Sequence, residues 1–115
     1  MSSKNFGNTA ESFVSSYLSS RSFNIVAHQF YSPFGEIDLI AIKNKALFAI
    51  EVKARKSFAF GQPIEAVTPK KLERIRRGIV FFAMQKGLEQ HPIQILVASV
   101  TVKGGKMDCI LTTVF

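Results

Sequence analysis

Two apolar segments separated by only three polar residues restrict how the middle of the chain can fold. Residues 36–42 and 46–54 are rich in Ile, Leu, Val and Ala, and Lys43-Asn44-Lys45 lies between them. Apolar segments of this length joined by so short a turn are typical of neighbouring antiparallel strands. The sequence therefore predicts a β-hairpin at residues 36–54.

Apolar periodicity predicts a helix on each side of this hairpin. Residues 9–21 carry apolar side chains at helical spacing, with Asn8 or Thr9 as the N-cap. Thr68-Pro69 predicts a second helix start, because a capping residue precedes a proline at the first helical position; this helix should run to about Lys86 and stop at Gly87. The apolar helix positions are Ala10, Phe13, Val14, Tyr17 and Leu18 in the first helix, and Leu72, Ile75, Ile79, Phe82 and Ala83 in the second.

Three further strands complete the expected fold. They are predicted at residues 23–31, 93–102 and 107–114, and residues 56–67 are predicted to form a loop. The order αβββαββ indicates an α/β fold with a mixed sheet flanked by helices. With 115 residues the chain has the length of one compact domain, which we expect to span residues 1–115.

The charge of the chain is strongly positive and unevenly distributed. Lys and Arg number 15 against 8 Asp and Glu, which gives a net charge of +7. Residues 41–90 carry the whole excess, with 11 basic and 4 acidic residues. Such an excess favours a polyanionic partner, either nucleic acid or an anionic membrane surface.

Several classes of protein are excluded by composition. The single cysteine, Cys109, excludes an intramolecular disulfide and a cysteine-based zinc cluster. The N-terminal residues are not typical of a signal peptide, and no run approaches the roughly 18–20 apolar residues that cross a bilayer. We therefore expect a cytoplasmic protein without a membrane-spanning segment.

Acidic residues are scarce, yet three of them lie in the two hairpin strands. Side chains alternate between the faces of a strand, so Glu36, Asp38 and Ile40 are predicted to share one face of the second strand. By the same rule, Glu51 and Lys53 share one face of the third strand. Acids concentrated in apolar strands indicate a site rather than an ordinary solvated surface.

The length of the turn decides whether these acids meet. A two-residue loop, Asn44-Lys45, gives a register in which the numbers of paired residues sum to 89. This register places Asp38 opposite Glu51, and Glu36 opposite Lys53, on one face. A three-residue loop would break this parity, so the prediction depends on the shorter turn.

Two facing carboxylates require something to offset their repulsion, which costs up to about 1 kcal/mol in an exposed sheet. A divalent cation such as Mg²⁺ or Mn²⁺, which prefers oxygen ligands, would do so. Lys53 lies about 7 Å along the strand from Glu51. Carboxylates that hold a metal, together with a lysine that stabilises phosphate charge, are the groups that phosphodiester hydrolysis needs. Glu11, at the edge of the first helix's apolar stripe, is a further candidate.

These residues also carry a resemblance to known nucleases. Asp38 followed on the next strand by Glu51-Val52-Lys53 resembles the PD-(D/E)xK nuclease signature, and Glu11 matches an additional acidic position of many of these enzymes. At closer range the chain is similar to the YraN family of small bacterial endonuclease-like proteins over about residues 5–85. The matching stretches are Gly7–Glu11, Gly35–Ala41, Glu51–Arg55, Phe60-Gly61 and Glu65–Lys71.

The resemblance implies a restriction-endonuclease-like fold similar to that of archaeal Holliday-junction resolvases. It also implies a metal-dependent endonuclease that acts on DNA, including branched or structured DNA. It implies that Asp38, Glu51 and Glu11 hold Mg²⁺ or Mn²⁺ and that Lys53 assists at the phosphate. Resolvase-like relatives also suggest a homodimer. The chain departs from the family at Phe34, where a basic residue is common.

Further polar residues are candidates for contacts with the substrate. Lys70 and Lys71 lie in the first turn of the second helix, where positive charge opposes the helix dipole, so we interpret them as part of a backbone-phosphate site. The other candidates are Arg55, Lys56 and Arg74 for the nucleic-acid backbone, and Glu36 and Gln62 for support of the metal site.

Two other functions are compatible with the same sequence. A non-catalytic nucleic-acid-binding protein would retain the nuclease fold and use the acids for charge balance or a structural metal. A protein–protein adaptor would use its basic face to bind an acidic partner. Metal-dependent cleavage would distinguish an enzyme from the non-catalytic nucleic-acid-binding protein. Failure to bind any nucleic acid at low salt would favour the protein–protein adaptor.

Overall fold

The computed structural model describes residues 3–55 and 67–115, and the side chains of residues 9–54 and 67–115. Within these ranges, two helices and five strands follow one another in the predicted order αβββαββ. The elements are α1 (Ser3–Ser19), β1 (Asn24–Ser32), β2 (Gly35–Lys43), β3 (Ala46–Arg55), α2 (Pro69–Lys86), β4 (Ile93–Lys103) and β5 (Lys106–Thr113).

The predicted start of the first helix is wrong. The helix begins at Ser3, so Asn8 and Thr9 lie inside it instead of capping it. The predicted apolar stripe marks the helix only from Ala10 onward, whereas the helical backbone begins seven residues earlier. The loop predicted at residues 56–67 lies outside the described residues except for its last position.

The predicted ends of α2 are confirmed. Thr68 is the N-cap, and its hydroxyl accepts a hydrogen bond from the backbone N–H of Lys71 at 3.1 Å. Gly87 follows the last helical residue in a left-handed conformation with φ 69°, and its N–H donates to the carbonyl of Ala83. Local capping chemistry therefore sets both ends of this helix.

The five strands form one mixed sheet in the order β1-β2-β3-β4-β5. β3 and β4 are parallel, and the other neighbouring pairs are antiparallel. Parallel neighbours require a long crossover, and α2 lies between β3 and β4 in the chain. The predicted α/β class with a mixed sheet is confirmed.

The hairpin register is the predicted one. Asn44 and Lys45 have φ values of 51° and 64°, as a two-residue turn between twisted antiparallel strands requires. Registered pairs of β2 and β3 run from Lys43–Ala46 to Leu39–Ile50, so the residue numbers of each pair sum to 89. The short turn thus brings Asp38 one step beyond the last registered pair.

The two helices cover opposite faces of the sheet. Each face has its own apolar core, and the predicted apolar stripe of each helix lies against one of them. The α1 core contains the buried residues Ala10, Val14, Leu18, Leu39, Ala41, Phe48, Ile50, Leu96, Ala98 and Val100. The α2 core contains Ile37, Ile40, Leu47, Ala49, Ile75, Ile79, Phe82, Ala83 and Ile95.

An irregularity in β2 changes which side chains share a face. Ile37 and Ile40 both pack in the α2 core, whereas Leu39 packs in the α1 core. Strict alternation of side chains would place Ile37 on the same face as Leu39. Because the two lie on opposite faces, the prediction that Glu36 and Asp38 share one face with Ile40 is wrong. The polar residue at the break is Asp38.

Gly78 allows α2 to lie close to β2. A Cβ at this position would stand 3.1 Å from Cδ1 of Ile37 and 3.3 Å from the hydroxyl of Ser32. We expect Gly78→Val to lower the free energy of unfolding by about 1–3 kcal/mol, because the added methyl groups have no space. Urea denaturation measures this difference.

Met84→Val is the matched control for that substitution. Met84 lies on the same helix and is 65% exposed. Its replacement tests the helix propensity of valine alone, which costs only about 0.5 kcal/mol. Equal losses of stability in the two variants would show that the close approach at Gly78 does not limit the packing.

Candidate functional site

Asp38 and Glu51 meet where the hairpin ladder ends. Beyond the Leu39–Ile50 pair, Oδ2 of Asp38 accepts a hydrogen bond of 2.8 Å from the backbone N–H of Val52. The side chain of Asp38 therefore replaces a ladder hydrogen bond and is held against β3. This contact places its negative charge beside the carboxylate of Glu51.

Glu51 is the most unusual acid of the described chain. It is only 6% exposed, and its Oε1 is buried and has no hydrogen-bond partner among the residues that the structure describes. Burial, followed by the negative charge of Asp38, raises the pKa of Glu51 from 4.5 to about 7, and Lys71 opposes this rise. A buried carboxylate oxygen without a partner is costly, so this atom is suited to accept a cation or a hydrogen bond.

Glu11 faces the same region from α1. Its Oε1 accepts a hydrogen bond of 3.2 Å from Nε2 of Gln29. Partial burial and the negative charge of Asp38 raise the pKa of Glu11. Burial also raises the pKa of Asp38, against the hydrogen bond from Val52 that lowers it. The three acids are thus electrostatically coupled through Asp38.

Coupling does not bring all three acids to one point. Within residues 3–55 and 67–115, no group of three or more His, Cys, Asp or Glu side chains is arranged to hold a metal ion. Glu11 therefore does not join Asp38 and Glu51 in a three-ligand cluster. The pair that the structure brings together is Asp38 with Glu51.

Two lysines complete the immediate surroundings of this pair. Nζ of Lys71 lies 3.8 Å from Oε2 of Glu51. The ammonium group of Lys71, followed by burial, lowers the pKa of Lys53. Lys71 was expected at the nucleic-acid backbone, and the structure places its ammonium group beside the carboxylate of Glu51. The N-terminus of α2 is therefore part of the site.

Glu36 is exposed and lines a small hollow together with Glu51. Its position in the sheet is opposite Tyr31 of β1, and its charge raises the pKa of the Tyr31 hydroxyl. Among the described residues, the registered pairs of β2 and β3 end before Glu36, and Lys53 is registered with Ser99 of β4. The predicted pairing of Glu36 with Lys53 is therefore not part of the sheet.

The expected substrate-contacting residues are only partly described. Lys70 and Arg74 are exposed on α2, and Arg74 lines a small hollow together with Glu51 and Lys71. The side chain of Arg55 lies outside the described residues, as do Lys56 and Gln62.

Sequence reasoning missed two residues of this region. Gln29 has a φ of 48°, unusual for a residue without glycine's freedom, and donates to Glu11. Ser99 is 2% exposed, and its hydroxyl has no partner among the described residues, although its strand position is beside Lys53. Neither has a local sequence signal, because Gln and Ser are common in strands for many reasons.

A divalent cation suits the pair of carboxylates. The partnerless Oε1 of Glu51 and the neighbouring Asp38 are hard oxygen donors of the kind that Mg²⁺ and Mn²⁺ accept. Mg²⁺ is commonly held by one or two protein carboxylates and keeps several waters. Two acids are therefore a sufficient protein contribution, and no cluster of three is required.

The fold and site define a small α/β protein with two coupled carboxylates and two lysines beyond the end of a β-hairpin ladder. The chain belongs to a family described as Uncharacterised protein family UPF0102, whose sequence model matches residues 10–100. This confirms the resemblance to the YraN family, which is the same family.

Individual relatives align along most of their length. The chain is 38% identical over 100 residues to a UPF0102 protein of Renibacterium salmoninarum, covering 87% of this chain and 85% of the relative. It is 42% identical over 99 residues to one from Petrotoga mobilis, covering 85% and 88%. It is 31% identical over 110 residues to one from Helicobacter hepaticus, covering 96% and 94%.

The structure also bears on the expected absence of a membrane-spanning segment. No helix among the described residues is both long and apolar enough to cross a bilayer.

Proposed function

We propose that this protein is a metal-dependent endonuclease that hydrolyses phosphodiester bonds in DNA, branched or structured DNA included. The observation that carries the proposal is the buried Glu51 carboxylate, whose Oε1 has no partner among the described residues and which lies beside Asp38. In this proposal the chain is a PD-(D/E)xK nuclease with a restriction-endonuclease-like fold. The order αβββαββ and the mixed sheet support that assignment.

Asp38 and Glu51 would hold Mg²⁺ or Mn²⁺ between them. The bound metal supplies polarisation of the scissile phosphate and a lowered pKa of a coordinated water. Asp38 is fixed for this role by its bond to the backbone of Val52. Glu11, held by Gln29, would accept a hydrogen bond from water at the outer side of the site.

The two lysines bind and orient the phosphate. Lys53 is partly buried, so its ammonium group acts in a medium where electrostatic interactions are stronger than in water. Lys71 is 3.8 Å from Glu51 and would neutralise this acid before the metal binds. With a cation held at Glu51, Lys71 would be free to bind a phosphate oxygen at the N-terminus of α2.

The exposed basic residues of α2 would bind the DNA backbone with little dependence on sequence. Phosphate contacts fix the position of the duplex but carry no base information. Lys70 and Arg74 are both exposed, and Arg74 lines the hollow that contains Glu51 and Lys71, so the two residues suit this role. Binding should therefore weaken steeply as salt is raised.

A cleavage assay tests the proposal directly. Labelled single-stranded, duplex, flap and four-way-junction DNA and one RNA are incubated with the protein in Mg²⁺, in Mn²⁺ and in EDTA. We expect cleavage of at least one DNA substrate in either metal and none in EDTA. The substrate that is cleaved fastest shows whether the protein prefers DNA or RNA, and whether it prefers unbranched or branched DNA.

Binding without cleavage is the outcome that would overturn this function. If every DNA stays intact in both metals and still binds at low salt, the protein is a non-catalytic nucleic-acid-binding protein with the same fold. If no nucleic acid binds at low salt, the basic surface serves another partner.

A further inference from the structure

An apolar hollow lies on the outer side of α2, next to the carboxylate site. Its floor is formed by Phe34, Val80, Phe81 and Met84, and its rim by Arg76 and Arg77. The ring of Phe34 meets that of Phe81 edge to face, with centroids 6.4 Å apart. Large apolar side chains are usually buried, yet Phe34 is 37% exposed and Met84 is 65% exposed.

Phe34 connects this hollow to the carboxylate site. It precedes Gly35 in the turn between β1 and β2, and it lines the small hollow that also contains Glu51, Lys71 and Arg74. One aromatic ring therefore forms a wall of both depressions. A chain of nucleotides with a phosphate at the carboxylates would place the adjoining base at Phe34.

The charges around the apolar hollow indicate what covers it. Residues 70–77 contain five basic residues and one acid, Glu73. Glu73 is shared by both rim arginines, at 2.7 Å from Nη2 of Arg76 and 3.1 Å from Nε of Arg77. The planar guanidinium groups are thus held in place at the edge of an aromatic floor. A polyanion that also presents flat apolar rings is complementary to this surface, and nucleic acid has both properties.

We propose that Phe34 and Phe81 form a stacking surface for an unpaired nucleobase adjacent to the scissile phosphate. This inference rests on the proposed function and narrows its substrate class to DNA with unpaired nucleotides at the cleavage point. A base inside an intact duplex is stacked on its neighbours and cannot reach the rings. The basic rim binds the backbone on either side of the displaced nucleotide.

Binding to abasic DNA is the sharpest test. Fluorescence anisotropy in EDTA and low salt compares two labelled hairpin DNAs, one with a short thymine tail and one with an equally long abasic tail. The two carry the same phosphates. We expect the wild type to bind the thymine tail about tenfold more tightly, and Phe34→Ala to abolish this difference.

Phe115→Ala is the matched control, because Phe115 is 52% exposed and is not among the residues that form the hollow. It should keep the tenfold preference. Phe34→Trp provides a second readout, since the chain contains no other tryptophan. The fluorescence of the introduced tryptophan should be quenched when the thymine tail binds and unchanged when the abasic tail is added.

Three results would overturn the inference. The first is equal affinity of the wild type for the two tails. The second is a dimer in sedimentation that Phe34→Ala dissociates, which would assign the surface to a second copy of the chain. The third is that neither hairpin DNA binds, which would contradict the proposed function as well. If the protein binds the thymine tail more tightly but shows no metal-dependent cleavage, the stacking surface is supported and only the proposed nuclease activity is contradicted.

Discussion

Asp38→Asn is expected to slow the proposed metal-dependent DNA cleavage by on the order of 10³-fold, because it removes one of the two negative charges that would hold the cation. Asparagine keeps the shape of the side chain, and its amide oxygen still accepts the hydrogen bond that Val52 donates to Asp38. The fold should therefore be retained. Single-turnover cleavage at saturating protein measures the effect on the chemical step.

The control for this substitution is Asp108→Asn. Asp108 is exposed on β5, and its replacement changes the net charge by the same amount. We expect it to cleave at the wild-type rate. Cleavage by Asp38→Asn within fivefold of the wild type, with an unchanged melting temperature, would show that Asp38 does not hold a catalytic metal.

Glu51→Gln is expected to raise the free energy of unfolding of the metal-free protein by about 3 kcal/mol at pH 8. Burial and the charge of Asp38 raise the pKa of Glu51 from 4.5 to about 7, so its ionised form is disfavoured in the folded state. Glutamine has nearly the same shape and no charge. Urea denaturation in EDTA at several pH values measures the difference.

The pH dependence of the wild type has a definite sign. The pKa of Glu51 in the folded state is about 7, above its ordinary value of 4.5, so between these values the folded protein binds more protons than the unfolded chain. Stability therefore falls as the pH rises from about 4.5 to about 7, and this contribution is constant outside that range. Asp38, whose pKa burial also raises, acts in the same direction.

Glu89→Gln serves as the control, because Glu89 is exposed in the segment after α2. It should leave the free energy of unfolding at pH 8 unchanged. Two results would contradict the raised pKa of the buried Glu51 carboxyl. One is a wild-type protein that is equally stable at pH 5 and pH 8, and the other is a free energy of unfolding at pH 8 that Glu51→Gln does not raise.

The same carboxylate thus links stability to the proposed function. A buried acid next to another acid lowers the stability of the metal-free protein, and a cation between them would offset the repulsion. Such a local cost is typical of functional sites, where side chains are selected for what they bind and not for the stability of the free protein. We expect Mn²⁺ to raise the melting temperature of the wild type more than that of Glu51→Gln.

Much of the fold could be predicted because its signals are local. Thr68 and Gly87 mark the ends of α2 through hydrogen bonds to residues within one helical turn. Asn44-Lys45 sets the register of the hairpin because a two-residue turn leaves one pairing parity. That register was enough to predict that Asp38 and Glu51 would come together.

The rest of the site could not be predicted because it depends on contacts distant in sequence. Lys71 was expected at the DNA backbone, and only the placement of α2 over β3 brings its side chain to Glu51. Gln29, which donates a hydrogen bond to Glu11, has a positive φ, for which the sequence has no glycine or asparagine as a signal. The break in the alternation of β2 lies where Ile37 packs closely against Gly78 of α2.

The sequence by itself determined the order of elements, the turn, the register and the two carboxylates, since each follows from hydrogen bonding and side-chain alternation within a few residues. The tertiary structure alone decided that β3 and β4 are parallel neighbours, that Lys71 faces Glu51, and that Phe34 stands between the carboxylates and an apolar hollow. These features arise where separate elements pack, and packing depends on the shapes of both faces at once.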